Sequence, residues 1–422
     1  DAQWKLRESY RRFQDLGLES DAAKVLLDLG VVYNARGDLD QVEKCFNDSL
    51  EYWQAVQNRF WQANVLNNIG TLKHHRGQYE QAVIALEKAL SYSRLAVNPR
   101  MEGYTLTSLG DIYRDIQAIK EARQAYEQAA TILEKTNDLS LDVYLTLAMA
   151  ILERIAGNFS ASRHQVATAL QKAEKSGSKY EYNLCLLEQY ALDLNSGKTK
   201  DLIQSFRKVE EYFTAAGFLP EAFKAAIFRL ITALKIGESV SIEEINSTFQ
   251  PGTDFNRNQI LIQIGMEFQD TLLAAIPRFP ESNVLQNLLN EIQGFEKKIS
   301  QIHRVIRRHS SAVDFTNPKL TIRALGRMQV RQGAKIVSSK EWKTQTVRDL
   351  FFYIIAHPEG VTKEEIGEAF WPDADRDTIR LRFKNTIYRL RRALGNDCIQ
   401  FADDCYRFNR NLDFDYDVDT FL

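Results

Sequence analysis

Small and large apolar residues return at a fixed interval of forty along the first 250 residues. Glycine stands at Gly37, Gly77, Gly157, Gly197 and Gly237, with Gln117 in the gap. A second column leads it by seven: Gly30, Gly70 and Gly110, continued by Ala150, Tyr190 and Leu230. Five residues after the first column come Val42, Ala82, Ala122, Ser162, Leu202 and Ile242. Four later stand Phe46, Leu86, Tyr126, Val166 and Phe206, with Asn246 breaking the pattern. Three later again are Ser49, Ala89, Ala129, Ala169, Val209 and Phe249. Self-similarity at one period marks a repeat architecture. The i, i+4, i+7 spacing gives a helix one buried face. The leading small residue lets the preceding helix pack closely, and the glycine column supplies a positive-φ turn that ends it. Each unit is therefore two antiparallel helices, and units must stack to bury both faces. Run backwards, the ruler makes Ala2, Leu6 and Ser9 the second-helix columns of a unit whose first helix is absent, so a region upstream of residue 1 is expected.

Residues 257–276 and 281–309 stay helical in pattern without that period, with Pro277 and Pro280 at their join. They predict a helical connector over 251–317. Its end carries Lys297, Lys298, Arg304, Arg307 and Arg308. Such a run suits the negative end of the helix dipole, and is also placed to touch a phosphate backbone. Past Ser310, Ser311, Asn317 and Pro318 the texture changes. Residues 320–330 alternate as two strands turning at Gly326. Helical runs over 340–356, 363–370 and 376–394 follow, then a strand pair, 398–401 and 405–408, around Asp403 and Asp404. This order predicts a small α+β domain over 318–422, of winged helix-turn-helix type.

Charge matters chiefly in that last domain. The whole chain is nearly neutral at −2, and residues 318–422 hold 18 Lys+Arg against 16 Asp+Glu. Yet between Arg376 and Arg392 seven basic residues face the single acid Asp377, a local charge of +6. Focusing of this kind is the footprint of a polyanion site, whereas an ordinary solvated helix interleaves both signs. Ile379, Phe383, Ile387, Leu390 and Leu394 make one buried stripe. Leu381, Arg382, Asn385, Tyr388, Arg389 and Arg392 then point broadly the other way. Arginine pairs bidentately with guanine and asparagine with adenine, and Leu381 suits a thymine methyl. Arg380, Lys384, Arg391 and Arg392 read as phosphate contacts.

Two sets of residues resemble known families. Leu29-Gly30-Val31-Val32-Tyr33 and Leu109-Gly110-Asp111-Ile112-Tyr113, within the forty-residue columns, resemble the tetratricopeptide repeat in the longer-helix form of MalT-like regulators. The likeness spans residues 1–250 and is strongest in the first three units; in MalT-like proteins a nucleotide-dependent switch domain lies upstream. Leu325-Gly326, Trp342, Arg348, His357-Pro358-Glu359-Gly360, Lys363-Glu364-Glu365, Phe370-Trp371-Pro372-Asp373, the run Ile387 to Gly395, and Tyr406-Arg407-Phe408 resemble the OmpR-type winged helix of SARP bacterial transcriptional activators. That resemblance implies residues 376–394 as recognition helix and the 398–408 hairpin, with Arg407, as a minor-groove wing. It also implies the 370–376 loop, with Trp371, Asp373 and Asp375, as a candidate contact with RNA polymerase. The chain departs from that family in placing its helical repeats upstream of the winged helix.

The fold class is thus mainly α, a tetratricopeptide-type α-solenoid followed by a small α+β winged helix. The expected function is that of a cytoplasmic bacterial transcription regulator bound to double-stranded promoter DNA, its solenoid taking a protein or small-molecule ligand. The alternative is an interaction scaffold, or the effector arm of a larger signalling ATPase, whose winged helix contacts protein. Inward first-helix positions, namely Asn34, Asn64, Asn67, His74, Asp111, Arg114 and Arg154, give a polar groove, with Asn64, Asn67, His74 and Arg114 as partner-binding candidates. A solvated face without a ligand is the competing reading. No enzyme, cofactor or metal is expected. Gly197-Lys198-Thr199 lacks the earlier glycine of a phosphate loop, since Leu192 holds that place. His74 and His75 diverge by about 100° on a helix. Asp413, Asp415, Asp417 and Asp419 alternate like a calcium loop without its glycine or final Glu, and read as a solvated tail. Cys45, Cys185, Cys398 and Cys405 include no CxxC pair, which favours a reducing compartment over secretion. No apolar run reaches membrane-spanning length.

Overall fold

The computed structural model describes residues 2–252, 257–316 and 318–421; Asn317, at the expected domain junction, lies outside them. The chain divides into two compact units, Asp1–Glu296 with Arg308–Phe315, and Lys297–Arg307 with Thr316–Leu422. The stretch expected as a separate connector is therefore shared between them.

The first unit is a stack of antiparallel helix pairs. After α1 (Ala2–Asp15) come α2 (Glu19–Ala35) and α3 (Leu39–Ala55), α4 (Arg59–His75) and α5 (Tyr79–Leu95), α6 (Pro99–Asp115) and α7 (Ile119–Leu133). Then follow α8 (Leu139–Ile155) and α9 (Phe159–Ser176), α10 (Lys179–Asn195) and α11 (Leu202–Ala216), α12 (Leu219–Ile236) and α13 (Ile242–Phe249). First helices begin every forty residues from Glu19 to Leu219. Within each pair the turn has positive φ at Gly37, Gly77, Gln117, Gly157, Gly197 and Gly237. Between pairs a second turn column shows the same backbone at Gly17, Gln57, Val97, Asn137, Gly177 and Gly217. One residue on, Asn58, Asn98, Asp138 and Ser178 cap the next first helix by accepting from the backbone N–H three places ahead. Each such cap is worth about 1 kcal/mol.

The sequence columns meet in the core. Val42, Ala82, Ala122 and Ser162 are wholly buried, as are Ser49, Ala89, Ala129 and Ala169. Gly30, Gly70 and Gly110 face Phe46, Leu86 and Tyr126, each closing on the ring or branch sixteen residues later. In the fourth pair Ala150 meets the smaller Val166 in one buried cluster. The packing is complementary in size.

Residues 257–296 join this core. They form α14 (Arg257–Glu267), α15 (Gln269–Ala275) and the first half of α16 (Val284–His309). Ile260, Leu261, Ile264, Leu272, Leu285 and Ile292 share one apolar cluster with Phe206, Phe228 and Ile231 of the last pairs.

The second unit holds β1 (Leu320–Arg323), β2 (Gln329–Gln332), β3 (Lys335–Ile336), α17 (Ser339–Trp342) and α18 (Gln345–Ala356). It continues through β4 (Val361–Thr362), α19 (Lys363–Phe370), α20 (Arg376–Leu394), β5 (Ile399–Ala402), β6 (Cys405–Phe408), β7 (Phe414–Tyr416) and α21 (Asp417–Phe421). One sheet runs β3-β2-β1-β7 and the other β4-β6-β5. The helix expected over 340–356 is broken at Lys343, whose φ is 67.

The alternating aspartates are not a solvated tail. Phe414 and Tyr416 are buried in β7, which pairs parallel with β1. Asp413 takes Arg307 at 2.9 Å, Asp417 accepts from the backbone of Ala324 and Leu325, and Asp419 holds Arg410. Arg304 lies 4.3 Å over the Phe414 ring. The basic end of α16 thus packs on this strand: Arg304 and Arg307, two of the cations also placed to touch a phosphate backbone, are structural. Among the described residues, no helix is long and apolar enough to cross a membrane.

Candidate nucleic-acid interface

Asp375 opens α20. Its carboxylate accepts from the Thr378 backbone at 2.9 Å and from the Thr378 hydroxyl at 3.0 Å. Phe383, Ile387, Leu390 and Leu394 are buried, and Ile379 is half-buried. Phe383 meets Tyr406 of the hairpin edge-on at 4.8 Å. A β-carbon on Gly367 would stand 2.9 Å from Ile379 Cγ2, so α19 crosses α20 in tight contact. Anchored by that stripe, α20 turns its other side outward. Leu381 and Tyr388 are each 63% exposed, and Arg380, Arg382, Lys384, Asn385, Arg389 and Arg392 are exposed with them. Among the described residues, the side chains of Arg376, Arg380, Arg382, Lys384, Arg389 and Arg392 have no hydrogen-bond or ion-pair partner. Other arginines do find carboxylates, as Arg163 with Asp193 and Arg229 with Glu210 and Glu244. The face is cationic and unneutralised.

Two expected contacts leave the set. Arg391 is half-buried and donates to the Ile399 carbonyl at 3.0 Å, turned toward the hairpin. Arg407 donates to the Glu359 carbonyl at 2.8 Å and lies 3.4 Å from Asp403. It clamps the hairpin to the turn at Gly360, where φ is 95 and a β-carbon would stand 2.7 Å from Arg407 Cγ. The hairpin tip exposes Asp403 and Asp404, charges of the same sign as phosphate. In the 370–376 loop, Trp371 is half-buried, Asp375 is the cap of α20, and Asp373 is exposed. Burial pushes the Cys398 thiol up to about 12, which leaves it protonated and inert.

Apart from Asn67, the groove candidates are engaged within the first unit. Asn64 donates to the Phe60 carbonyl at 2.8 Å, and the side-chain oxygen of Asn67 is buried without a partner. His74 Nε2 lies 2.9 Å from Asp115. Arg114 donates to Asp111 at 2.7 Å and to Asp115 at 2.8 Å; Asp111 also accepts from Tyr126 at 2.7 Å and from Tyr144. Burial works to raise Asp115, but Arg114 and His74 hold its carboxylate well below the usual range. Arg154 donates to Glu188 at 2.5 Å and to Glu267. His74 and Arg114 are therefore brought together through Asp115, but not as an open groove. The side chains that meet this network come from α14. Gln259 bonds the Tyr79 hydroxyl, Gln263 donates to the Asp115 carbonyl at 3.1 Å, and Glu267 takes Arg154. The helix's own i, i+4, i+8 row of polar residues fills the place expected for a ligand. That row was the available signal, and it reads equally well as a solvated face.

A second internal contact escaped the sequence. Segment Arg308–Phe315 lies along α5 and α7, where the Glu87 carboxylate accepts from Ser311 N at 2.8 Å, Ala312 N at 3.0 Å and the Ser311 hydroxyl at 2.5 Å. Gln128 donates to the Ala312 carbonyl at 2.7 Å, and Phe315 meets Tyr113 edge-on at 5.1 Å.

Residues 21–94 and 104–134 match the tetratricopeptide repeat family. The first three helix pairs are tetratricopeptide repeats. No curated protein matches the sequence. Among solved structures, a Rap protein complexed with competence and sporulation factor is similar in fold, with 12% identity and a TM-score of 0.49 over 71% of this chain and 98% of that one. The apo form of RapI gives 13% identity and a TM-score of 0.44 over 68% and 99%.

Proposed function

We propose that this chain is a bacterial transcription regulator that works by binding, without catalysis, in the cytoplasm. The second unit takes double-stranded promoter DNA through α20 in the manner of the SARP winged helix it resembles, and the repeats are a protein-docking module of MalT-like kind. One observation supports this above the others: a single helix with six exposed cations and no partner for any of them among the described residues. Leaving so many like charges unneutralised on one element is unfavourable unless a polyanion meets them. A helix also fits the major groove. Asp373 keeps the 370–376 loop in the reading as a contact for RNA polymerase.

Salt dependence tests the proposal. Three phosphate contacts, Arg380, Lys384 and Arg392, give a slope of log K against log salt of about −3. Arg382→Glu with Arg389→Glu is expected to abolish duplex binding while the fold is kept, since both side chains are exposed. Unchanged binding, or a flat salt response, would favour the scaffold reading. The acidic hairpin tip favours that second reading, because Asp403 and Asp404 suit a basic protein surface better than a phosphate strand.

A further inference from the structure

At about 100° per residue, the outward face of α20 sorts its side chains by chemistry. Leu381, Asn385, Tyr388 and Arg392 fall within a stripe about 60° wide, directly opposite the buried one. Arg382 and Arg389 lie together on one flank, Arg380 and Lys384 on the other. A crest of leucine, amide and phenol, with Arg392 at its C-terminal end, set between two cationic rails is a poor design for a generic polyanion, which would gain nothing from an exposed leucine.

We infer that the crest reads thymine and adenine, and that the four flanking cations hold the two sugar-phosphate strands. This rests on the DNA reading above and reassigns Arg382 and Arg389, which the sequence alone placed on guanine. The short Leu381 side chain touches only what the helix axis itself approaches, and in the major groove the apolar feature there is the thymine C5 methyl. Asn385, one turn on, matches the donor and acceptor pair of adenine, while Tyr388 adds a second apolar plane for a methyl. The groove is about 12 Å wide and a helix with side chains about 10 Å across, so rails on opposite flanks meet opposite strands.

The experiment uses the full chain. Duplexes selected from a random pool are remade with deoxyuridine in place of each thymine, which deletes only the methyl. One or two positions are expected to lose about fourfold in affinity, the worth of one buried methyl, and Leu381→Ala to erase that difference. Asn385→Ala is expected to relax an adjacent adenine preference by about tenfold. Arg382→Gln with Lys384→Gln should weaken all duplexes alike and flatten the salt slope without changing the selected sequence. Indifference to every methyl, with a steep salt slope intact, overturns the crest assignment and leaves the DNA reading standing. A changed sequence preference in the arginine variants overturns it as well. Absence of any salt-dependent duplex binding removes both.

Discussion

Gly110 and Tyr126, sixteen residues apart, touch so closely that a β-carbon on the glycine would stand 2.5 Å from Tyr126 Cδ1. The same meeting occurs at Gly30 with Phe46 and at Gly70 with Leu86. Gly110→Ala is therefore expected to destabilise the first unit by about 1–3 kcal/mol, the usual cost of overpacking. Urea denaturation reads it. Gly70→Ala combined with Leu86→Val should cost less than the two single changes added together, since the pair shares one space. Strict additivity would refute the contact.

Val97 is a β-branched residue held at φ 52 and 84% exposed. Left-handed backbone costs an L-residue about 1–2 kcal/mol, and no side-chain burial offsets it here. Val97→Gly should raise stability by about 1 kcal/mol, after the extra unfolded-state entropy of glycine. Gly177→Ala, at φ 69 in the same column, should do the reverse. Thermal melts of the two variants give opposite signs.

His75 should make stability fall with acid. Desolvation, with His74 and Lys224 adding repulsion and Asp115 opposing, pushes its imidazole down to about 3. The unfolded chain takes up the proton near its ordinary value of about 6.5. Between those values the unfolded state binds more protons, so stability is full above about pH 6.5 and declines toward pH 3. From pH 7 to pH 5 the loss traceable to this group is about 1–2 kcal/mol. His75→Gln should flatten that part of the profile, and a variant as pH-sensitive as the parent would rule the assignment out.

Glu87 accepts from both the Ser311 and the Ala312 amides. Glu87→Ala leaves those donors to solvent and should release the segment around them. Hydrogen exchange at Ser311 and Ala312 is expected to quicken by about tenfold or more, given about 1.5–3 kcal/mol for bonds to a charged group, while α5 itself stays protected. Unchanged exchange would mean that Gln128 and Phe315 suffice to hold the segment.

The forty-residue spacing told much of this in advance, because the helix pairs obey one geometric rule and the buried columns hold it rigidly. The span of α20 from Arg376 to Leu394 was also legible from its apolar stripe. The second turn column was not: only Gly17, Gly177 and Gly217 are glycines there, and Gln57, Val97 and Asn137 take the same backbone without the usual residue. The place of α14 was hidden because Gln259, Gln263 and Glu267 look alike whether they face water or a polar neighbour. Arg391 and Arg407 misled for a related reason, since a long cation does not announce which carbonyl it will find. The aspartates of 413–419 looked like a solvated tail because their partners, Arg307, Ala324 and Arg410, come from elsewhere in the chain.

The seat of α14 has a consequence for any visitor to the first unit. Gln259, Gln263 and Glu267 are tethered competitors, present beside Tyr79, Asp115 and Arg154 at an effective concentration of order millimolar or higher. A free peptide aimed at those same groups must first outcompete a ligand that never diffuses away. Weak guests are thereby excluded, and a successful one would announce itself by setting residues 257–267 loose.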